Sequence, residues 1–257
     1  MTPRKASLVT ETTIPNTAPF PYADYQATRS AIEQALTQNP FYALLTGASG
    51  MGKTTLLRQI ARSIDRHRHQ IIYLTAAHAT VTGIVRVLAM RLHVTPRRSF
   101  LENVHLLTEA LAVQTSHLVL WLDEADQAPT PLLTELRVLA EADLSAAQTF
   151  SLVLCGLPSL AAKLDSPALF PLKRRLAQRF GLLGLRREEL EPFLLHRLGS
   201  TNQHCWPDNI NDELFERTRA TPALLDHIVQ RAMVLPTTNT GGIHAEHIRD
   251  ILDQTGL

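Results

Sequence analysis

The stretch "LLTGASGMGKTTLLRQ", residues 44–59, decides the fold. An apolar run, 41–46, reads as a buried strand, and an apolar-periodic segment beginning at Lys53 reads as a helix. Between them "GASGMGKT", 47–54, fits G-x-x-x-x-G-K-[ST] in full, and strand before and helix after are the two contexts that confirm this motif. Glycines at 47, 50 and 52 let the backbone curl until its N–H groups face a phosphate at a helix N-terminus. The loop Gly47, Ala48, Ser49, Gly50, Met51, Gly52, Lys53, Thr54 and Thr55 is therefore expected to hold ATP. Lys53 should reach the β- and γ-phosphates, and Thr54 should bind Mg²⁺.

Downstream, "LVLWLDEAD", 118–126, is a hydrophobic strand that delivers Asp123 to its C-terminal end. There a carboxylate can hold Mg²⁺ beside the phosphate loop. Glu124 follows, suited to orient and deprotonate an attacking water. The adjacent Asp–Glu pair favours hydrolysis over transfer to a second substrate, for which no acceptor site is visible. Arg175 and Arg179 in "LKRRLAQRF", 172–180, lie four apart and are expected on one face of a basic helix. His244 and His247 sit three apart without a carboxylate or thiolate at fitting spacing, and are read as surface residues. Adjacent His204 and Cys205 are not a nucleophile pair.

Periodicity extends the pattern along the chain. Helices are expected at 24–38, 53–67, 81–93, 100–114, 130–143, 158–165 and 171–178, and strands at 41–46, 71–75, 118–122, 150–155 and 180–185. Strands alternating with helices imply a parallel sheet covered on both faces. After 186 only helical patterns remain. Three parts follow: an extended or disordered Pro- and Thr-rich arm, 1–21, an α/β P-loop core, 22–186, and a helical part, 187–257.

The composition is that of a globular chain, 45% hydrophobic and 19% charged. No apolar run approaches the roughly 18–20 residues of a membrane helix, and two cysteines are too few for a disulfide framework. A cytoplasmic protein with no membrane partner is expected. The net charge of +1 hides an asymmetry: residues 53–101 carry a local balance of +8 and residues 102–170 a balance of −7. Of the 25 basic residues 21 are Arg, whose forked guanidinium suits phosphate. Arg86, Arg97 and Arg98, beyond the P-loop helix, are the candidates for non-specific contacts to duplex DNA.

The order of these motifs, with "LVLCGLPSL" at 152–160, "LKRRLAQRFGLLGLRREEL" at 172–190 and "TRATPALLDHIVQRAM" at 218–233, resembles the AAA+ ATPases of the ExeA/TnsC/TniB group over roughly residues 20–253. The resemblance implies a five-stranded parallel αβα core with a C-terminal helical lid, and ring or filament homo-oligomers with ATP sites shared between subunits. Arg175 or Arg179 would then be a finger acting in trans, Arg175 being favoured. It also implies a choice between transposition-type members, which bind DNA when loaded with ATP and recruit a transposase, with a target-selection adaptor as a further partner, and secretion-type members joined to a membrane helix. The absence of such a helix before Leu257 and the +8 block favour the transposition type. A signalling switch without DNA is the third reading. Two departures from the group's pattern stand out. The fourth strand ends Leu154, Cys155, Gly156 without a polar sensor, and the lid reads Ala220-Thr221-Pro222-Ala223 where the group carries an arginine, with Arg219 out of register. Both remove γ-phosphate stabilisation, so slow turnover is expected.

Overall fold

The computed structural model describes residues 19–38, 40–142, 150–202, 206–234 and 243–256. Most of the expected N-terminal arm, with His204 and Cys205, lies outside them.

Five strands form one all-parallel sheet in the order β2-β3-β4-β1-β5: β1 Tyr42–Gly47, β2 His69–Thr75, β3 His117–Asp123, β4 Phe150–Gly156 and β5 Gln178–Leu182. The three central strands are the most apolar because both of their faces are covered; β4 is buried along its whole length. Alternate residues point to opposite layers. Leu45, Trp121 and Val153 enter one core, with Leu56, Leu57 and Ile60 of α2, Lys53–Ser63. Leu44, Leu120 and Leu154 enter the other, under α3, Val81–Arg91, α4, Phe100–Ala112, α5, Thr130–Ala142, α6, Ser159–Leu164, and α7, Phe170–Arg175.

The first core continues beyond the sheet. Tyr22 and Ile32, the latter in α1, Ala23–Gln38, pack with residues of α8, Leu190–Asn202, α9, Asn211–Thr218, α10, Pro222–Val234, and α11, Ala245–Gln254. Glu189 ties the two ends of this layer, accepting from Ala23 N (2.6 Å) and Arg186 N (2.7 Å).

One expected element differs. The basic helix stops at Arg175, and the chain reverses at Leu176 (φ −72°, ψ 71°), where Ala177 N donates to Arg175 O at 2.7 Å. This is an inverse γ-turn. The next residues extend as β5 beside β1, so Arg179 is in a strand and does not share a helix face with Arg175. The P-loop helix is also shorter than expected. Ile64 (φ −77°, ψ 150°) ends it, and Arg66 lies in the following turn.

Candidate functional site

β1 ends at Gly47, where space for a side chain is missing: a Cβ there would lie 2.8 Å from Leu182 O. The loop then turns through Gly50 (φ 81°) and Gly52 (φ 88°), left-handed conformations that glycine adopts without strain. Gly52 caps α2 with no side-chain hydrogen bond. The first N–H groups of the helix therefore face the loop without intrahelical acceptors. Lys53 Nζ folds back and donates to Gly47 O (2.7 Å) and Ala48 O (2.9 Å).

Opposite this loop stands the C-terminal end of β3. Thr54 Oγ1 donates to Asp123 Oδ2 at 2.8 Å, and Tyr73 of β2 donates its phenol to the same oxygen at 3.0 Å. Asp123 Oδ1 accepts from Glu124 N at 2.9 Å. Burial, with Asp123 adding to it, pushes the Tyr73 phenol up to about 12, so it remains a proton donor at neutral pH. Glu124 is exposed and takes a left-handed φ of 53°, uncommon outside glycine and asparagine. That turn is pinned from β4 and α6. Ala125 N donates to Cys155 O (2.8 Å), Leu157 N to Asp126 Oδ1 (2.9 Å), and Lys163 Nζ to Asp126 O (2.9 Å) and Ala128 O.

Ser49, Gly50, Gly52, Lys53, Thr54, Thr55, Asp123 and Glu124 line one pocket of about 410 Å³. Most of the expected loop residues and both acids are thus brought together. Gly47, Ala48 and Met51 are the exceptions: Gly47 and Ala48 offer their carbonyls to Lys53, and Met51 is buried in the core, its carbonyl accepting from Tyr22 Oη at 2.6 Å. The pocket also reaches Ala223 of α10, whose N–H donates to Gly50 O at 3.2 Å. Arg219 caps α9 in a left-handed turn. Where a polar sensor was sought, Cys155 is fully buried, and burial and the neighbouring Asp123 charge raise its thiol pKa. Glycines with left-handed turns, N–H groups without helix partners, an ammonium and a hydroxyl–carboxylate pair form a donor set that fits a Mg²⁺-bound triphosphate.

The expected finger residues lie elsewhere. Arg175 ends α7, and Arg179 is exposed on β5, level with Leu44 and three residues short of the Gly47–Leu182 pair. Arg86 of α3 and Arg97 and Arg98 of the following loop line a second pocket of about 540 Å³ together with Glu135. The three guanidiniums are on exposed residues and none makes an ion pair with a described residue. Asn103, buried in α4, holds their loop: it accepts from Arg97 N (2.7 Å) and donates to Arg97 O (2.9 Å) and Ser99 O (2.7 Å).

Sequence reasoning missed Tyr73, Asp126, Lys163 and Tyr22. The first three act across strands or loops whose adjacency depends on strand order. Only the DEAD spacing that puts Asp126 three residues after Asp123 was a visible hint.

Comparison with known proteins gives the following. Residues 38–164 match the family model described as AAA domain. General secretion pathway protein A of Aeromonas hydrophila is 25% identical over 202 residues, covering 75% of this chain and 36% of that protein, so the chain spans little more than a third of this relative. Among solved structures, Cdc6p of Pyrobaculum aerophilum superposes with a TM-score of 0.68 at 20% identity, over 96% of this chain and 70% of that one. The ORC1 protein of Aeropyrum pernix in complex with DNA gives 0.61 at 20% identity, over 94% of this chain and 66% of that one. The fold is that of an α/β P-loop ATPase with C-terminal helices, and the matches support an AAA+ ATPase. Among the described residues no helix is long and apolar enough to cross a membrane.

Proposed function

We propose that this protein is a Mg²⁺-dependent ATP hydrolase that turns over slowly, and that ATP binding governs its assembly on duplex DNA, where it recruits or regulates a transposase. The observation that carries the hydrolase reading is the Thr54–Asp123 hydrogen bond beside the glycine loop, with Glu124 on the same pocket wall. In this reading the loop N–H groups and Lys53 bind the phosphates. Lys53 exchanges its two carbonyl acceptors for phosphate oxygens, and Thr54 with Asp123 holds the cation. Bound Mg²⁺ would supply neutralisation of charge on the β- and γ-oxygens. Glu124 takes the proton of an attacking water.

Slow turnover is supported by the Cys155 and Ala223 positions, which offer no polar or cationic group to the γ-phosphate. A neighbour's Arg175 or Arg179 would supply it in an oligomer. Residues 187–257 are read as the lid of the 22–186 core, and the chain as cytoplasmic. DNA attachment is supported by the three exposed arginines of the second pocket, none of which makes an ion pair with a described residue. A second reading, an ATPase of secretion-apparatus assembly, is favoured by the similarity to general secretion pathway protein A.

Two measurements test the reading. Glu124→Gln should bind ATP like the wild type and lose turnover by about a hundredfold or more; hydrolysis at the wild-type rate would remove Glu124 as base. Random-sequence duplex should bind more tightly with ATP than with ADP or no nucleotide. Nucleotide-independent or absent DNA binding would shift the conclusion to the secretion or signalling role.

A further inference from the structure

We infer that Tyr73 is a positioning residue for the cation site, its phenol fixing the plane of the Asp123 carboxylate; the inference rests on the Mg²⁺-ATP reading of the pocket. Asp123 is buried, only 4% exposed, and its carboxylate accepts from Thr54 Oγ1, Tyr73 Oη and Glu124 N, donors that differ in how firmly they are held, with the Cys155 thiol beside them. Glu124 N belongs to the turn that follows. Thr54 Oγ1 belongs to the P-loop helix and is itself a candidate cation ligand, so its proton direction depends on what the oxygen faces. Tyr73 donates from the neighbouring strand β2, and on the other side the Cys155 thiol of β4, a weak donor, also bonds the carboxylate. The β2–β3 ladder runs through seven consecutive pairs, from His69 opposite His117 to Thr75 opposite Asp123. Tyr73 is opposite Trp121, one step diagonal from Asp123, and its ring is half-buried against the first core.

The torsion that orients a carboxylate is soft and broad. Thr54 and Tyr73 converge on Oδ2, while Oδ1 carries one donor and retains capacity for a cation or its water. Without the phenol, the plane of Asp123 would be set by the P-loop helix and the Glu124 turn, the two segments that would contact substrate, and by the weak thiol donor Cys155 of β4. With it, the carboxylate is held to the sheet by a strong oxygen donor as well. The phenol would therefore lower the cost of ordering Asp123 when the cation arrives, and leave phosphate binding by the loop untouched.

Tyr73→Phe removes the hydroxyl and keeps the ring. The test is the affinity of a fluorescent ADP analogue, measured with saturating Mg²⁺ and with EDTA on the same preparation, and the half-saturating Mg²⁺ concentration at fixed nucleotide. The ratio of the two affinities cancels any general loss of folded protein. Loss of one hydrogen bond to a charged group should cut this ratio about tenfold and raise half-saturating Mg²⁺ comparably, with EDTA affinity unchanged. Direct Mn²⁺ binding followed by electron paramagnetic resonance in the presence of ADP should weaken in parallel. An unchanged ratio, or an equal loss with and without Mg²⁺, would overturn the inference, the second result assigning Tyr73 a packing role. A wild-type protein that binds nucleotide no better with Mg²⁺ than with EDTA would overturn the cation-site reading itself.

Discussion

Lys53 shows what one residue reveals. Its ammonium has two carbonyl acceptors of its own loop at 2.7 and 2.9 Å, so the side chain is held against the loop. Lys53→Ala should lower ATP affinity by about a hundredfold, in line with loss of a charge-assisted contact at an organised site, while the melting temperature without nucleotide stays within a few degrees; calorimetric titration reads it. His117 gives a pH prediction. It is half-buried at the start of β3, opposite His69 of β2, its Nε2 lies 2.7 Å from Ser151 Oγ, and burial, helped by His69, lowers its pKa from 6.5 to about 4. Between those values the unfolded chain binds a proton that the folded chain refuses. The stabilisation is therefore complete above about pH 6.5, falls as pH drops toward 4 and is flat below it. Its size, discounted for partial solvent access, is about 1–2 kcal/mol. His117→Gln should flatten the denaturant midpoint across that window. An undiminished slope in the variant would assign it to other groups. The P-loop and the Asp–Glu pair were legible because their spacing is local. His117, Tyr73 and Lys163 were not, because each depends on a partner brought near only by strand order.

At the scale of elements, the strand–helix alternation was readable to within a few residues, since buried parallel strands are short apolar runs and the helices carry apolar stripes. The failure was at 172–182. Four-residue spacing of Arg175 and Arg179 mimicked a helix face, whereas the inverse γ-turn at Leu176 and the alternation of Phe180 and Leu182 toward the first core make an edge strand. A one-turn helix leading into a short strand offers too few residues for either period to dominate. The contact of α10 with the P-loop was equally hidden. Gly50 is left-handed, and a Cβ on it would lie 2.9 Å from Thr221 Cγ2 and 3.0 Å from Ala223 Cβ. Gly50→Ala should therefore strain the loop and push the start of α10 away. The expected stability loss is about 1–3 kcal/mol, with ATP affinity falling at least tenfold. Thermal melts with and without ATP measure both; wild-type affinity in the variant would show that the α10 contact is incidental to nucleotide binding.

For the whole molecule the charge pattern carries the argument. The basic block of 53–101 does not form one surface. Arg58 and Arg62 are exposed along α2, beside the first core, whereas Arg86, Arg97 and Arg98 gather around a pocket between α3, α4 and their loop. Asn103 orders that loop in advance, so a phosphate bound there would not have to supply the ordering entropy. Glu135 on the pocket wall limits the field, and contacts to phosphates alone carry little base preference. The Arg97→Ala/Arg98→Ala double variant should then weaken binding to every duplex sequence alike in ATP. Because each lost phosphate contact removes about one unit from the slope of log affinity against log salt, the double variant should flatten it by about two units per protomer engaged. ATP binding in the absence of DNA should be unaffected, since the nucleotide pocket shares no lining residue with this one. In a multi-subunit assembly the deficit repeats in each protomer, so the variant should lose cooperative assembly on DNA before it loses binding altogether. Unchanged affinity and slope would reduce the arginine pocket to a solvated face.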